Sequence, residues 1–249
     1  MKILATLVAV GAALTVATAA SAKDIKIALI SSQTGPLEAY AKQTLTGFQM
    51  GIEYFTHGTM KLDGNKIVLI SKDDQGKPDL ARSLLEQAYA DDGVDLAVGT
   101  TSSGATLAML PVAKEAQKIL IVEPAVADEI TGKAWNRYIF RTARNSSQDA
   151  LSAAAALGNK PASIAVLAQD YAFGRDGVAA LKAAFAQSPS KAKIVSEVYA
   201  PTDTTDFTAP AQRLFDALKN RKGTKIIAII WAGPSPFSKI ADMDPGRYG

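Results

Sequence analysis

Cysteine is absent from the chain, and only one histidine, His57, occurs among its 249 residues. The first absence excludes a disulfide framework and thiolate chemistry. The second removes most histidine-based metal sites, and a Ser-His-Asp triad would have to use that single imidazole. An excess of one charge is also missing. Lysine and arginine number 27 against 24 acids, dispersed along the chain, so nothing tracks a phosphate backbone and no nucleic-acid partner is expected. Beyond residue 22 no stretch approaches the roughly 18 apolar residues of a membrane-spanning helix, so the mature chain is expected to be soluble.

The first 22 residues read as a separate object. Lys2 supplies a short positive start, Ile3 to Ala19 is apolar or small, and Ala20-Ser21-Ala22 is a small-residue cleavage pattern before polar Lys23-Asp24. This is the pattern of a secretory signal peptide, residues 1–22, removed after Ala22. Its removal leaves 26 basic against 24 acidic residues, a net charge of +2. An exported chain of this size can build its core without disulfides.

From residue 23 onward, strand and helix alternate. Ile25–Ser31 is a β-branched apolar run, residues 39–55 carry a helical pattern, and Lys66–Ser71 is a second strand. Asp79–Ala90 is a helix with Leu80, Leu84, Leu85 and Ala88 on one face. Val94–Val98 is a strand, a helix falls near 104–117, and Ile119–Val122 is the next strand. Trp135–Thr142 reads as a strand leaving this first unit, and Asn145-Ser146-Ser147 offer N-caps for an alanine-rich helix over 148–157. The alternation restarts with strands at Ser163–Leu167, Lys193–Tyr199 and Lys225–Trp231, and helices at 175–187 and 206–219. The expected architecture is α/β, with parallel sheets, right-handed crossovers and two doubly wound lobes, 23–143 and 144–249. The second lobe reads as incomplete, because nothing at Asp244–Gly249 resembles a finished element.

The stretch VGTTSSGATLAMLPVAKEA, residues 98–116, places Ser102 and Ser103 where the chain leaves a sheet and enters a helix. A phosphate loop needs a lysine where Ala105 stands, a dinucleotide fingerprint needs G-x-G-x-x-G, and a nucleophile elbow needs G-x-S-x-G. None of these is met. Two readings stay open. One of the serines acts only as an N-cap, or the helix start and the hydroxyls together cradle a small anion. Ligands of open parallel sheets sit beyond the carboxyl ends of the strands. The stretches 31–40, 99–104, 123–125, 169–175 and 231–233 all fall at such ends. Asp73-Asp74 reads as a solvated turn or a helix-proximal cap, Glu115 and Lys118 as surface charges, Asp170 as a loop-orienting residue and His57 as exposed. No metal and no cofactor is expected.

The motifs SSQTGPLEAY, VGTTSSGA, EPAVADEITG, FRTARNSSQ and QDYAFGRDG, in this order, resemble the leucine/isoleucine/valine-binding family of periplasmic solute-binding proteins. That resemblance implies the type I periplasmic-binding fold, two Rossmann-like lobes closing on a ligand, located in the periplasm. It implies a partner permease of an ABC importer, a monomeric protein and a C-terminal part beyond residue 249. Ser103 matches the serine that holds a ligand carboxylate, with Ser102 beside it. Ala125 matches a position whose backbone faces the ligand head group. Tyr40, Tyr171, Phe173 and Trp231 match aromatics around the ligand. Ala127 stands where amino-acid binders carry a hydroxyl for the ligand's amino group, and alanine cannot accept that hydrogen bond. The expected ligand is therefore a small apolar or aromatic carboxylate, with a branched-chain amino acid also open. No reaction is expected, so the chain does not read as an enzyme. A periplasmic sensor of the same fold is the alternative, separated by whether its partner is a permease or a signalling receptor.

Overall fold

The computed structural model describes residues 23–189 and 191–248. The expected signal peptide, residues 1–22, lies outside the described residues. Among them no helix is long and apolar enough to cross a membrane.

The first lobe is a six-stranded sheet. Its strands are β1 (Ile25–Ser31), β2 (Lys61–Leu62), β3 (Asn65–Asp73), β4 (Leu96–Gly99), β5 (Ile119–Val122) and β6 (Ile139–Arg141). They are ordered β2-β3-β1-β4-β5-β6, and only the β2–β3 pair is antiparallel. The parallel strands are buried on both faces, which is why β1 reads as a continuous apolar run rather than an alternation. Helices α2 (Pro78–Ala90) and α3 (Ser103–Ala116) cover one face, burying Leu85, Met109 and Leu110 against Ala28, Ile30 and Leu120. Helix α1 (Glu38–Phe55) covers the other through Leu45, Phe48 and Ile52 over Ile27, Leu29, Ile67 and Val98.

The second lobe places β7 (Ala162–Gln169) between β8 (Lys193–Ala200) and β9 (Thr224–Ile230), all parallel. Helices α4 (Ser146–Leu157) and α5 (Ala172–Gln187) pack on one side. Helix α6 (Thr208–Lys219) packs on the other, with Phe207, Leu214, Phe215 and Leu218 in the core. A short α7 (Phe237–Ala241) and a 3-10 turn (Pro245–Tyr248) close the described chain, with Tyr248 stacked 4.7 Å from Phe215.

Four expectations change. The strand expected over Trp135–Thr142 shrinks to Ile139–Arg141 and belongs to the first sheet, paired with β5. The reason is Asn136, whose side chain accepts from the Tyr138 N–H and donates to the Leu110 carbonyl, holding a turn there. The β2–β3 hairpin was not expected; Asp63 and Gly64 both take positive φ, 49° and 83°, in its two-residue turn. Lys118 is half-buried and donates to the carbonyls of Tyr89 and Val94, so it is a tie within the lobe rather than a free surface charge. Asp74, expected in a solvated turn or as a helix-proximal cap, is 0% exposed and is not the cap of α2, which is Lys77. His57 is exposed, and Asp170 pairs with Arg175 at the start of α5.

Candidate functional site

Each sheet reverses its winding beside its central strand. In the first lobe the chain leaves β1 toward one side and β4 toward the other. In the second the chain leaves β7 toward β8 on one side and returns to β9 on the other. Such switch points open a crevice at the carboxyl ends of the strands. The loops after these four strands face one another across two adjoining cavities of about 290 and 110 Å³. Leu37, Tyr171 and Ala232 border both, so they form the partition between the compartments.

The first-lobe wall starts from the serine loop. Ser102 is the N-cap of α3, its Oγ accepting from the Ala105 N–H at 3.4 Å. Ser103 is the first helical residue, 2% exposed, and its Oγ accepts from the Ala127 N–H at 3.3 Å. Its hydroxyl proton stays available for donation. The N–H groups of the first helical turn have no intrahelical acceptor and carry the positive end of the helix dipole. This gives neutral donors facing a cavity, the arrangement that satisfies a small anion.

Asp74 holds this wall together. One carboxylate oxygen accepts from Ser32 Oγ and the Gly76 N–H, both at 2.8 Å, and the other accepts from Thr100 Oγ1. It thereby ties the ends of β1, β3 and β4 into one edge. Thr101 Oγ1 accepts from the Ser32 N–H at 3.2 Å, a second cross-link between the β1 and β4 loops. Next to it, burial pushes the Asp73 carboxyl up, but hydrogen bonds from Thr34, Gln75 and Gln33 outweigh this and hold it below the usual carboxylate range.

The second-lobe wall is fixed by Gln169. Its side-chain amide donates to the Ala232 carbonyl at 3.0 Å, and its amide oxygen accepts from the Ala232 N–H at 2.9 Å. The loops after β7 and β9 are therefore tied to each other. On that frame sit Tyr171 and Phe173, ring centroids 5.9 Å apart, and Trp231, which meets Phe207 edge-on at 5.0 Å. Trp231 thus serves both the lobe core and the cavity wall. Burial, with Tyr40 nearby, raises the Tyr171 hydroxyl above its ordinary value, so it stays protonated.

Of the sequence-predicted residues, Ser103, Tyr40, Tyr171, Phe173 and Trp231 come together around the smaller compartment, and Ser102 and Tyr171 line the larger. Tyr40 stands at the rim, 41% exposed. Ala125 and Ala127 line neither compartment; Pro124 and Val126 do. Both ends of the Ala127 backbone unit are occupied, the N–H by Ser103 Oγ and the carbonyl by Arg141 Nη1 at 2.8 Å. The strand-end stretches contained Leu37, Thr101 and Gln169 without singling them out as site residues, and Arg144 was missed. A glutamine ending an otherwise apolar strand was the readable signal for Gln169.

Residues of the two lobes also touch directly. The Asp128 N–H donates to Asp176 Oδ2 on α5 at 2.8 Å, and the Asp128 carboxylate accepts from the Ser147 N–H at 3.1 Å. Two doubly wound lobes, joined near residue 143 and enclosing a cleft of uncharged donors and aromatics, define a ligand-binding protein of the two-lobed α/β class. The family described as periplasmic binding protein matches residues 24–236, and the chain belongs to it.

Particular relatives narrow this further. A Leu/Ile/Val-binding protein, BraC3, from Rhizobium johnstonii is 28% identical over 214 residues, 86% of this chain and 55% of the relative. A crystal structure described as an ABC-type branched-chain amino acid transporter from Rhodopseudomonas palustris is 66% identical, with a TM-score of 0.70, over 91% of this chain and 61% of that one. A solute-binding protein of an ABC transporter from R. palustris BisB5, in complex with 3,4-dihydroxybenzoic acid, is 28% identical, with a TM-score of 0.71, over 90% of this chain and 60% of that one. The chain spans about half the length of the curated relatives it matches.

Proposed function

We propose that the chain is the extracytoplasmic receptor of an ABC importer and that it captures a small aromatic or apolar carboxylate between its lobes. The carrying observation is the position of Ser103. It stands at the first turn of α3 and opens onto a compartment whose far wall is Tyr171, Phe173 and Trp231 of the other lobe. A carboxylate at the serine and a ring against the aromatics satisfies both halves of that wall. We read binding with lobe closure as the output, the behaviour of a two-lobed receptor. The 3,4-dihydroxybenzoic acid bound by the relative from R. palustris BisB5 supports the aromatic class.

Two observations favour a branched-chain amino acid as the second reading: the Leu/Ile/Val-binding relatives and the description of the 66% identical structure. Against it, no carboxylate residue lines either compartment among the described residues, so a ligand ammonium lacks a counter-ion there. A thermal-shift screen of the full-length protein with benzoate, cinnamate, 3,4-dihydroxybenzoate, leucine and valine separates the two. Stabilisation by an aromatic acid is expected; stabilisation by leucine or valine alone overturns the aromatic reading.

A further inference from the structure

Among the described residues, Arg144 is the only charged side chain lining either compartment. It sits between β6 and α4, one residue before the α4 N-cap Asn145, where the two lobes join. Its Nε donates to both oxygens of Asp149, at 2.8 and 2.9 Å. That grip restrains a long side chain that otherwise samples many rotamers. The Nη1 and Nη2 groups form no hydrogen bond with other described residues. Glu123, which shares an outer groove with Arg144, has a carboxylate oxygen taken by Thr142 Oγ1 at 2.7 Å.

We propose that Arg144 is a specificity-determining residue that selects ligands carrying net negative charge. The inference rests on the carboxylate reading above. The serine loop and the start of α3 bind the carboxylate of an α-amino acid zwitterion as readily as that of a simple acid, so they do not by themselves exclude the zwitterion. Arg144 brings its positive charge to the compartment wall, while its partner Asp149 lines neither compartment. It favours a monoanion over the neutral amide of the same shape, and it repels the ammonium of an α-amino acid. Because the side chain stands at the rim, much of its contribution acts through the screened field and falls with salt.

The test is calorimetry on the full-length protein with 3,4-dihydroxybenzoate and its neutral shape-mate 3,4-dihydroxybenzamide, at low and high sodium chloride. In the native chain the acid binds tighter than the amide, and the gap narrows as salt rises. In Arg144→Gln the acid weakens about 3- to 20-fold, the amide is unchanged and the salt dependence flattens. Arg144→Lys, which keeps the charge, retains most of the preference. Circular dichroism melting shows whether either variant is folded. If the native chain binds and folded Arg144→Gln keeps both the acid affinity and its salt dependence, the role of Arg144 falls while the cleft reading stands. If the native chain binds neither the acid nor its amide at any salt concentration, the cleft reading falls and the inference with it.

Discussion

Ser103 uses one hydroxyl twice. Its oxygen accepts the Ala127 N–H, and in the proposed binding mode its proton serves the ligand carboxylate. Ser103→Ala therefore removes a donor to a carboxylate and leaves a buried N–H without its acceptor. A charge-assisted hydrogen bond is worth about 1.5–3 kcal/mol, so an expected loss on the order of 10- to 150-fold in carboxylate affinity is checked by calorimetry. The neighbouring serine differs in kind. Ser102→Ala removes an N-cap and lowers stability by about 0.5–2 kcal/mol in chemical denaturation. Spacing alone left these two roles undivided, because both serines sit at the same helix start; the family resemblance pointed to Ser103. The structure adds that the Ser103 oxygen accepts from Ala127, 24 residues further along. Asp74 was hidden for a similar reason. Two adjacent acids after a strand look solvated until Ser32 and Thr100 are seen to close over one of them. Asp74→Ala strips the acceptor from the Ser32 and Thr100 hydroxyls and the Gly76 N–H. A loss of about 2–5 kcal/mol is expected in denaturant titration, with Asp74→Asn less severe.

Elements were the most legible level, because hydrophobic period and caps are local signals. The apolar runs of β1, β5, β7 and β9 needed no partner to be read, and α6 announced itself through Phe207, Leu214, Phe215 and Leu218. Asn145 starts α4 with a full capping box to Gln148, so the helix begins at Ser146, two residues before the alanine-rich run. The Asp63-Gly64 turn was also readable as a hairpin signal, but β2 has only two residues to show for it. Strand ends are held by long-range ties that no local pattern shows. Asp95 accepts the Lys26 N–H, joining β1 to the start of β4. That hydrogen bond is the main influence on the Asp95 carboxyl; with Lys23 it outweighs the opposing effect of burial and holds the group below the ordinary carboxylate value. A depressed carboxyl contributes stability above its unfolded value, near pH 4, that is lost as pH falls through the folded value. Asp95→Asn is accordingly expected to melt at lower temperature at pH 7 and to show a shallower fall of melting temperature between about pH 5 and 2. Gly174 makes a tighter demand. A side chain there would place its Cβ 1.9 Å from the Gln169 carbonyl oxygen, so Gly174→Ala must displace the start of α5, and Phe173 with it.

At the scale of the whole molecule, the cleft depends on how the loops at the strand ends of the two lobes meet. Two doubly wound lobes were legible in the sequence, but their contacts were not, since these join residues far apart in the chain. Gly233, after β9, takes a φ of +94°, and a Cβ there would lie 2.7 Å from the Pro36 carbonyl of the opposite lobe. Gly233→Ala is expected to wedge this approach. It should weaken ligand binding at least several-fold while circular dichroism shows the lobes still folded. The partition of Leu37, Tyr171 and Ala232 likewise exists only once the lobes face each other.

The central claim is that neutral donors at the mouth of α3 hold the negative end of a small guest against the aromatics of the opposite lobe. Titrating the full-length protein and its Ser103→Ala variant with 3,4-dihydroxybenzoate in a calorimeter tests this most directly. Saturable one-to-one heat in the native protein, with affinity reduced at least tenfold in the variant, is the expected result. Saturable binding of equal strength in both proteins would contradict the claim.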